Sequence, residues 1–416
     1  MLNRKHPSLA AAEHTFGIKQ MLCKRLLSIS LMYCAQGIPA GLAFNAFSTI
    51  LRYSGTSLAH IGLTGLLFLP WALKFLWSGM ADNAGKQWGY GRLALWTHMT
   101  AILVCLLLAF MPPAQNFPIV LCGILLLNTI FATQDIFTNA CAVSHMQGRY
   151  AGLANALQVI TFLLGMVVGG AGSLLIYERT GWGGVMLCMA CELFILWLFL
   201  LPLRTYVEPC LSNKQRTPST LIALFNQPGF LWAILIAVTF KFSGSAMAIM
   251  LQPWLIDRSF SITFCGTLQM SNIIWSALGG AVIGFPAVRL MGSRRAVLYL
   301  AGPSVTLLGC LWFLQTMELE NHTILYAILG LENFVDGGFY VSIWALLMNW
   351  SSSERPGTDY SFLQCGESLT NVLAGLSMPP MAAIVGYEGI FLIVWGIGAG
   401  LLLLLALATR KLRPYT

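Results

Sequence analysis

Leu69-Pro-Trp-Ala-Leu-Lys-Phe-Leu-Trp-Ser-Gly-Met-Ala-Asp82 places a lysine, Lys74, near the end of an apolar run that begins around Ile61. Moving a lysine to mid-bilayer costs roughly 2.5–3.5 kcal/mol on insertion scales. A chain keeps such a residue only where the ammonium snorkels to an interface, finds a partner or lines a polar cavity. Eight residues separate Lys74 from Asp82, about 12 Å of helix at 1.5 Å per residue. The amine therefore reaches either inward to a cavity or out towards the headgroups.

The same reading extends along the whole chain. It is 57% hydrophobic and only 9% charged, a balance that excludes an ordinary soluble protein. Apolar runs of about 20 residues, each a candidate membrane-spanning helix, recur roughly twelve times. They lie near 26–50, 58–80, 93–112, 117–140, 152–177, 183–203, 229–251, 264–288, 295–316, 323–349, 361–385 and 387–409. No room is left between them for a soluble domain. The expected fold is an all-α polytopic membrane protein of about twelve transmembrane helices.

The net charge of +8 is not a nucleic-acid footprint, because the basic residues follow the spans. Arg4, Lys5, Lys19, Lys24 and Arg25 precede the first span, and Lys86 and Arg92 follow the second. Arg149 follows the fourth span, and Arg204, Lys214 and Arg216 the sixth. Arg289, Arg294 and Arg295 flank the eighth-to-ninth connection, Arg355 follows the tenth, and Arg410, Lys411 and Arg413 close the chain. The alternate loops hold only Arg52, Arg179 and Arg258. By the positive-inside rule both termini are cytoplasmic. The first apolar run is too long for a signal-peptide core.

The longest hydrophilic stretch between spans, 204–228, divides the chain into two six-helix halves, 25–203 and 229–409. Residues 1–24 and 410–416 are expected as cytoplasmic tails. Six plus six with a cytoplasmic linker is the layout of major facilitator transporters, whose halves are parallel repeats around a midplane site. Asp82 with Gly91 and Arg92 resembles that superfamily's acidic-glycine-basic loop, which latches the cytoplasmic side. Its second copy, Arg289, Gly292, Arg294 and Arg295, lacks the acid. Gly165 with Gly169 and Gly280 with Gly284 form GxxxG pairs, read first as close helix packing.

Polar residues inside the spans mark a pathway. Asn128, Asp135 and Asn139 fall on one face of the fourth span by seven- and four-residue spacing, with Gln134 beside them. In the tenth span Glu332 and Asp336 stack four apart, with Tyr340 a turn further on. Two stacked carboxylates repel, which favours a proton on one of them. Gln364, Glu367 and Asn371 share a face of the eleventh span, and Lys241 lies deep in the seventh. Gln36, Asn155 and Asn272 complete the set in the first, fifth and eighth spans. Bland readings stand beside these: Asp135 pairs with Lys74 or caps a neighbouring helix, and Glu332 serves backbone groups.

Lys74, Lys241, Gln36, Asn128, Gln134, Asn155, Asn272 and Tyr340 are the candidate cavity residues. Asp135, Glu332, Asp336 and Glu367 are the candidate proton carriers, and Asp82 and Arg92 the cytoplasmic gate. No enzyme motif or nucleotide-binding domain is apparent, so the expected energy source is an ion gradient. Cys188 and Cys191 form a CxxC inside an apolar helix with no second pair, and neither a metal nor a cofactor is expected. The expected partners are a small-molecule substrate, protons and the lipid bilayer, without nucleic acid, and the chain is expected as a monomer.

Gln36-Gly-Ile-Pro-Ala-Gly, Ile61-Gly, Lys74-Phe-Leu-Trp with Asp82, Thr133-Gln-Asp-Ile and Glu332-Asn-Phe together resemble the AmpG-like peptide/acetyl-CoA/drug transporter branch of the superfamily. Within that branch the Pro70-Trp-Ala-Leu-Lys-Phe-Leu-Trp wording and compact length are most similar to siderophore permeases of the rhizobactin and pyochelin type. Muropeptide permeases of the branch are longer. Where relatives often carry a second aspartate, this chain has Asn139. The resemblance implies an inner-membrane importer of a siderophore or its iron or zinc chelate by proton symport. Lys74 and Lys241 would supply countercharge and the aromatic rings would stack on the ligand. Alternatives are a muropeptide or drug permease of the same fold, or a non-transporting component of a metal-acquisition system.

The charge pattern yields a topology test. A fluorescent protein fused after Thr416 should fluoresce, and alkaline phosphatase inserted near Arg52 should be active. The opposite pattern would place the termini outside.

Overall fold

The computed structural model describes residues 7–54, 63–208, 218–260, 262–317 and 321–412. The Ile61-Gly pair lies outside them, as do parts of the two expected tails and of the linker. Sixteen α-helices account for nearly all of the described residues. They are α1 Pro7–Gly41, α2 Phe47–Tyr53, α3 Leu69–Leu73, α4 Phe75–Trp88, α5 Tyr90–Leu108, α6 Pro113–Met146, α7 Ala151–Val167 and α8 Ser173–Leu200. Then come α9 Leu221–Phe225, α10 Phe230–Thr239, α11 Phe242–Asp257, α12 Ile262–Gly279, α13 Phe285–Met291, α14 Ser293–Thr316, α15 His322–Trp350 and α16 Pro356–Lys411. In hydrocarbon every backbone N–H and C=O needs an internal partner, and a continuous helix supplies them all.

Among the described residues nine helices are long and apolar enough to cross a membrane, and the bent pair Leu63–Leu73 and Phe75–Trp88 makes a tenth. Two of these runs are double. Gly148–Tyr206 turns at Gly181 (φ 68°) and Pro356–Lys411 turns at Gly386 (φ 70°). A residue with a Cβ is strained at that φ, so each glycine lets the chain reverse between two spans. Counting each turned run as two and the bent pair as one gives twelve helical segments among the described residues, in line with the expected number. Within the expected tail of residues 1–24, α1 is already helical from Pro7. Proline suits the first turn of a helix, and the alanines and glutamate that follow are good helix formers.

By packing, the described chain forms two compact units. The first comprises Met1–Pro70, Asn83–Cys141 and Thr161–Cys210. The second comprises Trp71–Asp82, Ala142–Ile160 and Leu211–Thr416. Packing therefore places two short N-terminal segments with the C-terminal half.

In the first unit α1 lies against α7 at backbone distance. A Cβ on Gly165 would collide with the Cys34 carbonyl, one on Gly169 with that of Ile38, and one on Gly37 with that of Phe162. The expected GxxxG pair is thus a packing surface, met by a second one, Gly37 and Gly41. Both helices loosen into π turns at this contact, Leu42–Ala46 and Val168–Gly172. In the second unit α12 meets α15 in the same way. A Cβ on Gly279 would collide with the Phe334 carbonyl, and one on Gly337 with that of Ser276. The π turn Gly280–Gly284 follows. The apolar core of this unit gathers Met247, Leu251, Trp254, Leu308, Leu325, Phe391 and Val394. Exposed leucines such as Leu376 and Leu403 face the hydrocarbon that replaces water around a membrane helix.

Gly169→Ala should destabilise the protein by about 1–3 kcal/mol through overpacking. Gly400→Ala, where a Cβ meets nothing, should be neutral or stabilising. Thermal unfolding followed by size-exclusion fluorescence measures both, and equal effects would contradict the packing account.

Candidate functional site

The two intramembrane lysines both sit where a helix breaks. Lys74 is the non-helical residue between α3 and α4, where the chain bends by 52°. Lys241 stands between α10 and α11 with φ −98° and ψ −2°. Such interruptions are tolerated at membrane depth only where the freed backbone is buried in protein or lines a cavity. Both segments belong to the second unit, and both lysines turn to one face of α16.

That face carries Gln364, Glu367 and Asn371, spaced by three and four residues and therefore stacked. Lys74 Nζ donates to Gln364 Oε1 at 2.7 Å. Lys241 Nζ donates to Glu367 Oε1 at 2.7 Å, an ion pair. Ser245 Oγ donates to Asn371 Oδ1 at 2.6 Å. Tyr340 of α15 donates its hydroxyl to Glu367 Oε2 at 3.0 Å, so both carboxylate oxygens are engaged. The Lys241 ammonium also lies 4.6 Å from the Tyr340 ring centroid, and Lys74 lies 5.7 Å from that of Trp71. A cation over an aromatic face gains up to about 2 kcal/mol when desolvated.

Around this row stand further acids and an aromatic wall. Asp336 lies within charge–charge range of Lys241 and Glu367, with Ser304 Oγ at 3.5 Å from its Oδ1. Glu332 is buried and takes a bond from Asn333 Nδ2 at 2.9 Å. Phe240 packs on Tyr340 and Trp344 at 6.0 and 5.9 Å between centroids. Trp344 meets Tyr360 at 5.5 Å, and the Tyr360 hydroxyl donates to Asn155 Oδ1 at 2.6 Å. Cations, hydroxyl donors and flat apolar rings close together are the chemistry that suits an anionic ligand with cyclic groups.

Asp82 is fully buried and accepts from Ser219 Oγ at 2.6 Å and Thr358 Oγ1 at 3.0 Å. Nearby, Asp359 accepts from the Ser352 N–H and from Arg355 Nε, while Arg355 also donates to Gln227. Arg92, the other gate candidate, is exposed in the first unit.

The remaining candidates lie in the first unit or stand apart. Tyr33 donates to Asn139 Oδ1 at 3.0 Å, and Asn139 Nδ2 donates to Asp135 Oδ2 at 2.9 Å. The residue that replaces an expected aspartate thus binds Asp135 directly, a bond a second acid makes only when protonated. Gln36 Nε2 donates to Thr138 Oγ1 at 2.9 Å, and Gln134 Nε2 lies 3.3 Å from His98 Nδ1. Asn128 donates back to the Ile124 carbonyl of its own helix. Asn272 of α12 is half-buried, and its Oδ1 accepts no hydrogen bond. His98, Tyr33, Ser219, Ser304 and Thr358 were not identified from the sequence. Only the burial of an isolated histidine in an apolar run marks His98, and the others carry no signal in the sequence.

Comparison with known proteins bears on this arrangement. The family model for acetyl-coenzyme A transporter 1 matches residues 26–120. The putative transporter AmpG 4 of Rickettsia conorii is 24% identical, over 88% of this chain and 92% of its own. The anhydromuropeptide permease of Escherichia coli K12 is 23% identical, over 82% of this chain and 71% of its own. In structure, an outward-facing bacterial homologue of the iron transporter ferroportin superposes with TM-score 0.68 at 16% identity, covering 94% and 98% of the two chains. The major facilitator proton:xylose symporter XylE superposes with TM-score 0.66 at 10% identity, covering 93% and 94%. These names support transport rather than enzymatic activity, and they do not support the narrower siderophore branch.

Tyr340→Phe keeps the ring but removes one bond to Glu367. It should cost about 1 kcal/mol of stability, read as a lowered unfolding temperature, whereas an unchanged temperature would contradict the bond. The chain is a multi-pass helical protein with the fold seen in the major facilitator symporter XylE, and it is similar over most of its length to AmpG transporters and permeases.

Proposed function

We propose that the chain imports an amphipathic, anionic cargo of the muropeptide class, driven by protons, with both termini in the cytoplasm. The observation that carries this reading is the convergence of Lys74 and Lys241, each at a helix break, on the polar face of α16 beside Phe240, Tyr340 and Trp344. Muropeptides combine carboxylates with sugar rings, and sugar rings stack on aromatic faces. The names of the relatives support the same cargo class.

Lys74 and Lys241 supply countercharge, with Gln36, Asn128, Gln134, Asn155, Asn272 and Tyr340 as the wider polar lining. Asp135, Glu332, Asp336 and Glu367 are the groups available to carry protons, and Asp82 and Arg92 serve the cytoplasmic gate. Alternating access requires only that cargo or proton binds the two states with different affinity. A siderophore or its metal chelate is the second cargo, because phenolate rings and carboxylates suit the same cations and aromatics.

The test is uptake of labelled anhydromuropeptide and of a radiolabelled ferric siderophore into proteoliposomes, with and without an inward proton gradient. Gradient-stimulated uptake of the anhydromuropeptide is expected, falling at least about tenfold in Lys241→Met, the loss of roughly 1.4 kcal/mol of binding. Uptake of the chelate alone would move the cargo to siderophores. Uptake indifferent to the gradient would remove the proton, and uptake of neither would overturn the reading.

A further inference from the structure

The Lys241–Glu367 pair differs from the Arg355–Asp359 pair of the second unit in being reachable. Its side chains are 31% and 15% exposed, while Asp359, which pairs with Arg355, is completely covered. Lys241 also sits on the break between α10 and α11, so its position is not locked by a continuous helix.

We propose that this pair is exchangeable and couples the uptake of one proton to the binding of one cargo carboxylate, an inference that rests on the anionic-cargo reading above. Glu367 holds its charge through two donors, the Lys241 ammonium on Oε1 and the Tyr340 hydroxyl on Oε2. A cargo carboxylate that takes Lys241 leaves Glu367 with the hydroxyl alone. Asp336 of α15, held by Ser304 of α14, is then a second negative charge within range. Glu332 stands one turn back on α15, and Tyr360 of α16 lies behind Trp344. Lys74, the other cation on this face, donates to Gln364 one turn away from Glu367. An anion stripped of its cation in a low-dielectric interior binds a proton.

The charges balance. At rest, the Lys241 ammonium and Glu367 carboxylate sum to zero. With cargo bound, the ammonium faces the cargo carboxylate, and a proton from the aqueous phase forms the O–H of Glu367. Release on the other side reverses both steps, so the proton leaves with the cargo. Binding takes up a proton, and affinity therefore rises as the pH falls.

Two measurements test this on the full-length protein in lipid. The first needs no cargo: infrared spectroscopy of Lys241→Met, read in parallel with Lys241→Gln. A carboxylic-acid carbonyl band absent from the wild type should appear in these variants and vanish when Glu367→Gln is added. The second is binding of anhydromuropeptide in weak buffer with a pH indicator. The wild type should take up a proton on binding. Glu367→Gln should bind with an affinity independent of pH, take up none and lose gradient-driven accumulation. No band in the lysine variants, or a band that persists with Glu367→Gln, would overturn the exchange. Proton uptake undiminished in Glu367→Gln would do the same. Failure of the wild type to bind anhydromuropeptide would sink that cargo, while the infrared result still decides the pair.

Discussion

A charged group in a membrane protein needs a partner, because hydrocarbon provides neither water nor counterions. In this chain that constraint is met on one face of α16. Gln364 receives Lys74, Glu367 receives Lys241 and Tyr340, and Asn371 receives Ser245. Three polar residues within eight positions of one helix thus hold two broken spans and a third helix. The breaks themselves follow, since interrupted backbone at this depth survives only beside such a lining.

The same chain uses glycine for the opposite purpose. Where α1 meets α7, and α12 meets α15, the backbones touch and no side chain intervenes. These seams end in π turns, which commonly mark positions where a helix adjusts its register. Positive-φ glycines recur at matching places in the two halves, Gly89 with Gly292 and Gly181 with Gly386. The turns that reverse the chain are thus repeated, while the polar residues differ. Shared architecture with specialised chemistry is the pattern expected of a duplicated helical bundle.

What could be read from the sequence follows from range. Span number and the unusual status of Lys74 and Lys241 came from apolar runs and single charges, which are local signals. That Asp135 and Asn139 share a face was legible because four residues make about one helical turn. The pairing of Lys241 with Glu367 joins residues 126 apart, and no spacing rule reaches across that distance. Neither break was legible, because Phe240-Lys-Phe and Leu73-Lys-Phe contain no proline or glycine to mark one. Asn128 shares a face with Asp135 as the spacing requires, yet its amide turns back to the Ile124 carbonyl. Periodicity assigns a face, but the direction of a side chain depends on its neighbours.

The central claim is that Lys241 and Glu367 hold each other's charge. A double-mutant cycle on thermal unfolding, with Lys241→Met, Glu367→Gln and the combined variant, measures this most directly. Each single substitution should cost about 1–3 kcal/mol, between the values of surface and buried pairs. The double variant should recover much of that loss, because neither charge is then left alone. Strictly additive losses would contradict the account.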